Sequence, residues 1–124
     1  GYARFLREAG FDLIYAGNFV DQGFFETQQE CNDCIWIFDG DLALKSMQHF
    51  LDKAPDVDAI VANGMCNFRR SDGLPQRFVS LSRELESALG KPIVASDTAL
   101  YWRIYKSLGT APLGEQGQLL ASLQ

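Results

Sequence analysis

The stretch Gly90–Gly109, GKPIVASDTALYWRIYKSLG, decides how this chain is read. Gly90 closes a preceding helix. Pro92-Ile93-Val94-Ala95 is a short apolar run suited to a strand buried on both faces. Proline fits such a strand at its first position, where no ladder N–H is needed. Ser96, Asp97 and Thr98 gather at the turn, and any of them could cap the next helix by accepting from a free backbone N–H. Leu100, Tyr101, Ile104, Tyr105 and Leu108 recur at helical spacing, and Gly109 supplies the stop. The unit is strand–turn–helix. In an open α/β sheet, ligands bind at the carboxyl end of such a strand. The free N–H groups and the positive end of the helix dipole favour an anion there.

Working outward, the residues before Gly90 read as a helix from about 76 to 89, with Phe78, Leu81, Leu85, Ala88 and Leu89 on one face. Asp58–Asn63, DAIVAN, is a second buried strand. It runs into a loop, Gly64-Met65-Cys66-Asn67-Phe68-Arg69-Arg70, and a turn at 71–75. Before it, Asp39 or Asp41 caps a helix through about Ala54 whose apolar face is Leu42, Leu44, Met47, Phe50 and Leu51. Phe11–Ala16, FDLIYA, reads as a strand, and Tyr2–Ala9 as the last turns of an amphipathic helix. Residues 18–33 form an irregular stretch whose aromatics Phe19, Phe24 and Phe25 need cover, with room for a helical turn at 26–30. Residues 34–38 could form a brief extended piece. The tail after Gly109 is mostly loop, with a closing turn at 118–123. The order α-β-α-β-α-β-α predicts a parallel sheet with helices on both faces.

The chain has 124 residues, 47% of them apolar, which suffices for one α/β domain with a core. A net charge of −5 with scattered Lys and Arg argues against nucleic acid as the main partner. No apolar run reaches the roughly 20 residues of a membrane span, so no membrane partner is expected. Three cysteines at irregular spacing argue against a disulfide framework and for a reducing cytoplasm.

Cys66 is the sharpest chemical candidate. It follows a buried strand in a loop with Asn63, Asn67, Arg69 and Arg70, and a thiol among donors and cations has a lowered pKa. The plainer reading is a small buried hydrophobe. Ser96, Asp97 and Thr98 occupy the matching point of the next strand. Their hydroxyls and N–H groups suit a carboxylate, and simple helix capping is the compatible alternative. Asp97 itself would repel an anion. Cys31-Asn32-Asp33-Cys34 is a CxxC, but His49 is the single histidine and there is no second CxxC to complete a zinc site. Two ordinary loop cysteines is the preferred reading, and a redox or metal role the third-ranked one. His49 is expected to be solvent-facing or half-buried.

The pattern Pro92, Ser96-Asp97, Ala99, Trp102 and Leu108-Gly109 resembles the C-terminal signature of the aspartate/glutamate racemase superfamily, in its maleate cis-trans isomerase and arylmalonate decarboxylase branch. DAIVANGMCNFRR (58–70), RELESALGKPIVAS (83–96) with its continuation DTALYWRIYKSLG (97–109), and GEQGQLLASL (114–123) carry the likeness. YARFLREAGFDLIYA (2–16) is consistent with it. The resemblance implies a flavodoxin-like three-layer α/β/α fold with a parallel sheet, one half of a two-domain protein. It implies a cofactor-independent, cysteine-dependent isomerase, racemase or decarboxylase acting on a small mono- or dicarboxylic acid held in the cleft between halves. Cys66 is the catalytic candidate, and Asn63, Gly64, Met65, Asn67, Ser96, Asp97 and Thr98 are the substrate-binding ones. No cofactor and no metal are expected.

The sequence departs from the family pattern in that Gly64 falls nearest the expected cysteine position and Asp97 stands where the family often has Asn. It also lacks the first half and a leading strand, which a flavodoxin-like order would place between 11–16 and 58–63. The expectation is therefore a C-terminal half, inactive in isolation, that pairs with a second copy or with an N-terminal half. The alternative function is a non-catalytic α/β module that binds small anions.

Overall fold

The computed structural model describes all 124 residues except 35–37, 65–67 and 71. The chain is mixed α/β: α1 (Tyr2–Glu8), α2 (Gln28–Asp33), β1 (Phe38–Asp39), α3 (Gly40–Lys53), β2 (Ile60–Ala62), β3 (Phe68–Arg69), β4 (Pro75–Gln76), α4 (Phe78–Leu89), β5 (Ile93–Ala95), α5 (Ser96–Leu108) and α6 (Gln118–Ala121). No helix among the described residues is long and apolar enough to cross a membrane.

The two apolar runs either side of α4 pair as parallel neighbours, with Ile60 opposite Ile93, Val61 opposite Val94 and Ala62 opposite Ala95. Helix α4 connects them, as a parallel pair requires. Asp39 is the cap of α3, its Oδ1 accepting from the Leu42 N–H at 2.8 Å. Gly90 and Gly109 end α4 and α5 in the left-handed conformation, at φ +68° and +65°.

A second sheet, which local pattern did not announce, joins β1 to β3 in parallel and β3 to β4 antiparallel. It turns part of the 64–75 loop into a hairpin, closed by Arg70 N–H to Leu74 O at 3.0 Å and Gly73 N–H to Arg70 O at 2.9 Å. The reason is Phe68. Its ring is 1% exposed and sits edge-on to Phe78 at 5.1 Å, so the loop is pulled into the core. Phe19 and Phe25 find their cover on Phe38, at 5.2 and 5.6 Å between ring centroids. Gln22 then ties that stretch to α3, its side chain exchanging hydrogen bonds with Ser46 Oγ and Ser46 O at 2.6 and 3.2 Å.

Three expectations are corrected. Phe11–Ala16 forms no strand: it runs without a ladder partner among the described residues. Strand β2 is not buried on both faces, since Val61 is 45% exposed. The apolar stripe Leu100, Tyr101, Ile104 and Leu108 of α5 faces outward, and the inward stripe is Thr98, Trp102 and Tyr105. Trp102 explains the rotation: its indole N–H donates to Ser122 Oγ at 3.0 Å and its ring carries the Lys106 ammonium at 4.4 Å, so α5 turns this face toward α6.

Candidate functional site at the tips of two parallel strands

Because β2 and β5 are adjacent and parallel, their carboxyl ends open on the same rim. Asn63 and Gly64 follow β2, and Ser96 opens α5. The Gly64 N–H donates to Ser96 Oγ at 3.3 Å, and the Ser96 hydroxyl donates to Asn63 Oδ1 at 3.4 Å. Both bonds lie at the long end of the useful range, so a ligand oxygen can displace them at small cost. Gly64 has φ +115°, a backbone state that side chains rarely adopt, and it turns the chain so that its N–H faces the serine. All three residues are exposed, so the rim is open to solvent.

Thr98 and Asp97 are brought to the same helix start but are engaged in holding it. Thr98 is buried, its Oγ1 lying 3.0 Å from both the N–H and the carbonyl oxygen of Ala95, so the hydroxyl serves as acceptor and as donor. Asp97 reaches away from the rim. Its Oδ2 accepts from the Val79 N–H at 3.1 Å, capping the start of α4, and its Oδ1 accepts from the Thr98 N–H at 2.7 Å. Asp97 thus serves the start of a neighbouring helix as well as that of its own, and the first of these roles is invisible to local reading. Met65, Cys66 and Asn67 lie outside the described residues.

No protein-family model and no curated protein matches the chain. What the rim can do therefore rests on its chemistry: a backbone donor, a hydroxyl and a helix N-terminus, all suited to an oxyanion.

The CxxC is not a loop. Cys31 lies on α2 and Cys34 caps its end, with Thr27 capping the start by accepting from the Glu30 N–H at 3.1 Å. Among the described residues the two thiols gain no third metal-ligating neighbour. Burial, reinforced by the nearby Cys34 and Glu30, pushes the Cys31 thiol above its ordinary pKa. A neutral thiol is a poor nucleophile, so Cys31 should resist iodoacetamide at pH 8 in the folded protein. Labelling should become rapid only in urea. Equal labelling of Cys31 with and without urea would contradict its placement. His49 is half-buried.

Two hollows lie away from the rim. One, of ≈ 410 Å³, is bounded by Arg83, Glu86, Glu115 and Gln118. The other, of ≈ 310 Å³, is lined by Phe24, Phe25, Phe38 and Leu42. Sequence reading missed Glu86, a buried carboxylate that accepts from the Ile93 N–H at 2.9 Å and from the Gln118 N–H at 2.8 Å. Its one sequence signal was a charged residue on the apolar stripe of α4.

Proposed function

We propose that the rim of Asn63, Gly64 and Ser96 holds the carboxylate of a small mono- or dicarboxylic acid, and that Cys66 performs the chemistry on it. The reading takes the chain as one half of a two-domain, flavodoxin-like protein of the aspartate/glutamate racemase type, with isomerase, racemase or decarboxylase activity and no cofactor. The thiolate removes or returns a proton next to the carboxylate, or adds to an activated double bond. The Gly64 N–H, the Ser96 hydroxyl and the α5 N-terminus stabilise the charge that develops on oxygen.

The observation that supports the reading is the contact between Gly64 N–H and Ser96 Oγ, which joins two separate strand tips into one group of donors. The test is thiol labelling. Cys66 should alkylate faster than Cys31 and Cys34, and a dicarboxylate such as maleate or malonate should slow it. Ser96→Ala should abolish that protection. Labelling of Cys66 indifferent to every acid tried would sink the proposal. The described donors need no thiol, which favours a second reading, a non-catalytic anion-binding module. In that case acid binding survives Cys66→Ala unchanged and Cys66 shows no heightened reactivity.

A further inference from the structure

Asn63 and Gly64 form the one Asn-Gly pair in the sequence. In such a pair the backbone nitrogen of the glycine can attack the side-chain amide carbon of the asparagine, because glycine has no Cβ to obstruct the approach. The product is a five-membered succinimide ring. The step is intramolecular, so its rate depends on how the two groups are held and on where the protons go.

The fold sets a third group beside them. The Ser96 hydroxyl oxygen accepts from the Gly64 N–H at 3.3 Å, and the same hydroxyl donates to Asn63 Oδ1 at 3.4 Å. One side chain therefore touches both the attacking nitrogen and the oxygen on which negative charge develops. It can take a proton from the first as it gives its own to the second. Asn63, Gly64 and Ser96 are all exposed, so water reaches the group. Nothing around Asn-Gly in the sequence announces the serine, which arrives from the start of α5.

We propose that Ser96 catalyses the conversion of Asn63 to aspartate and isoaspartate. The Gly64 nitrogen bonds to Asn63 Cγ, its proton passes to Ser96 Oγ, and the Ser96 proton passes to Oδ1. The tetrahedral carbon then collapses. The Cγ–Oδ1 double bond reforms, the Cγ–Nδ2 bond breaks, and ammonia leaves with the proton that Oδ1 had received. Water opens the ring at either carbonyl, and each product carries one new carboxylate. No oxidant, reductant or cofactor takes part. The consequence rests on the acid-holding rim proposed above. A carboxylate at position 63 repels that of the ligand. A bound acid occupies the Gly64 N–H and the Ser96 hydroxyl, and so blocks the proton relay. An occupied site is preserved and an idle one is retired.

Peptide mapping of the full chain, held in neutral buffer, follows the acid formed at position 63 over time. Ser96→Ala should slow its formation by about tenfold or more; a proton carrier with long hydrogen bonds gives less than the ~100-fold of a tightly held one. Ser96→Thr keeps the hydroxyl and should restore most of the rate. Position 96 is exposed, so circular dichroism should show both variants folded. Malonate should slow the wild-type reaction, and Asn63→Asp should lose the protection that malonate gives to Cys66. Wild-type protein whose Asn63 stays intact overturns the proposal, and so does Ser96→Ala protein that converts as fast as wild type. Conversion that needs Ser96 but ignores every acid tried upholds the catalysis and sinks the acid-binding reading instead, so the two failures are distinct.

Discussion

Glu86→Ala should lower the unfolding free energy by about 3 kcal/mol, because it orphans two backbone donors at once, each costing roughly 1–3 kcal/mol when buried. Glu86 is 7% exposed, and its two oxygens hold the outer edge of β5 and the first N–H of α6. Glu86→Gln keeps one acceptor oxygen but turns its amide N–H₂ toward the other donor, so it should fall between wild type and alanine. Glu84→Ala, one exposed position of the same helix, is the control and should change stability by less than about 0.5 kcal/mol. The midpoint of urea unfolding reads all three. An alanine variant no weaker than the control would show that the carboxylate holds nothing.

Gly117→Ala should release α6 from the body of the protein. Gly117 has φ +91°, and a Cβ there would lie 2.8 Å from the Ser82 Cβ and 3.2 Å from Glu86 Oε2. Ser82 Cβ belongs to α4 and cannot rotate away, so the chain itself must move. Backbone strain and overpacking together cost about 2–4 kcal/mol. Gly114→Ala is the internal comparison: its φ is +80° but no atom lies within 4 Å of the added carbon, so strain of roughly 1–2 kcal/mol acts alone. Hydrogen exchange at Leu120, fully buried in the wild type, should speed up sharply in Gly117→Ala and little in Gly114→Ala. Equal penalties for the two would remove the steric argument.

Helices α3, α4 and α5 were legible because their signals are local. Asp39 as a cap, Gly90 and Gly109 as stops, and apolar residues at three- and four-residue spacing act within one or two turns. Strands β2 and β5 were legible as short apolar runs flanking a helix, and their parallel pairing follows from that connection. The rim was legible to the same extent: Asn63, Gly64 and Ser96 meet where adjacent parallel strands must end.

Other features needed the third dimension. Asp97 serves the Thr98 N–H of its own helix, as its position suggests, and also that of Val79, eighteen residues earlier, which it does not. Phe68 reads as a loop aromatic, yet it draws β3 and β4 into a sheet. In α5 two apolar stripes compete, and only the neighbour decides which turns inward. Trp102 and Ser122 settle it, leaving Leu100, Ile104 and Leu108 in solvent.

By itself the sequence determined helices α3, α4 and α5, the glycine stops of the last two and the two parallel strands, because those depend on backbone preference and on contacts within a few residues. Tertiary structure alone decided which polar side chains close the β5 edge, which stripe of α5 is buried, and that Phe11–Ala16 lies without a ladder. Each depends on whether a hydrogen-bonding or apolar partner is present across space, and spacing along the chain carries no record of that.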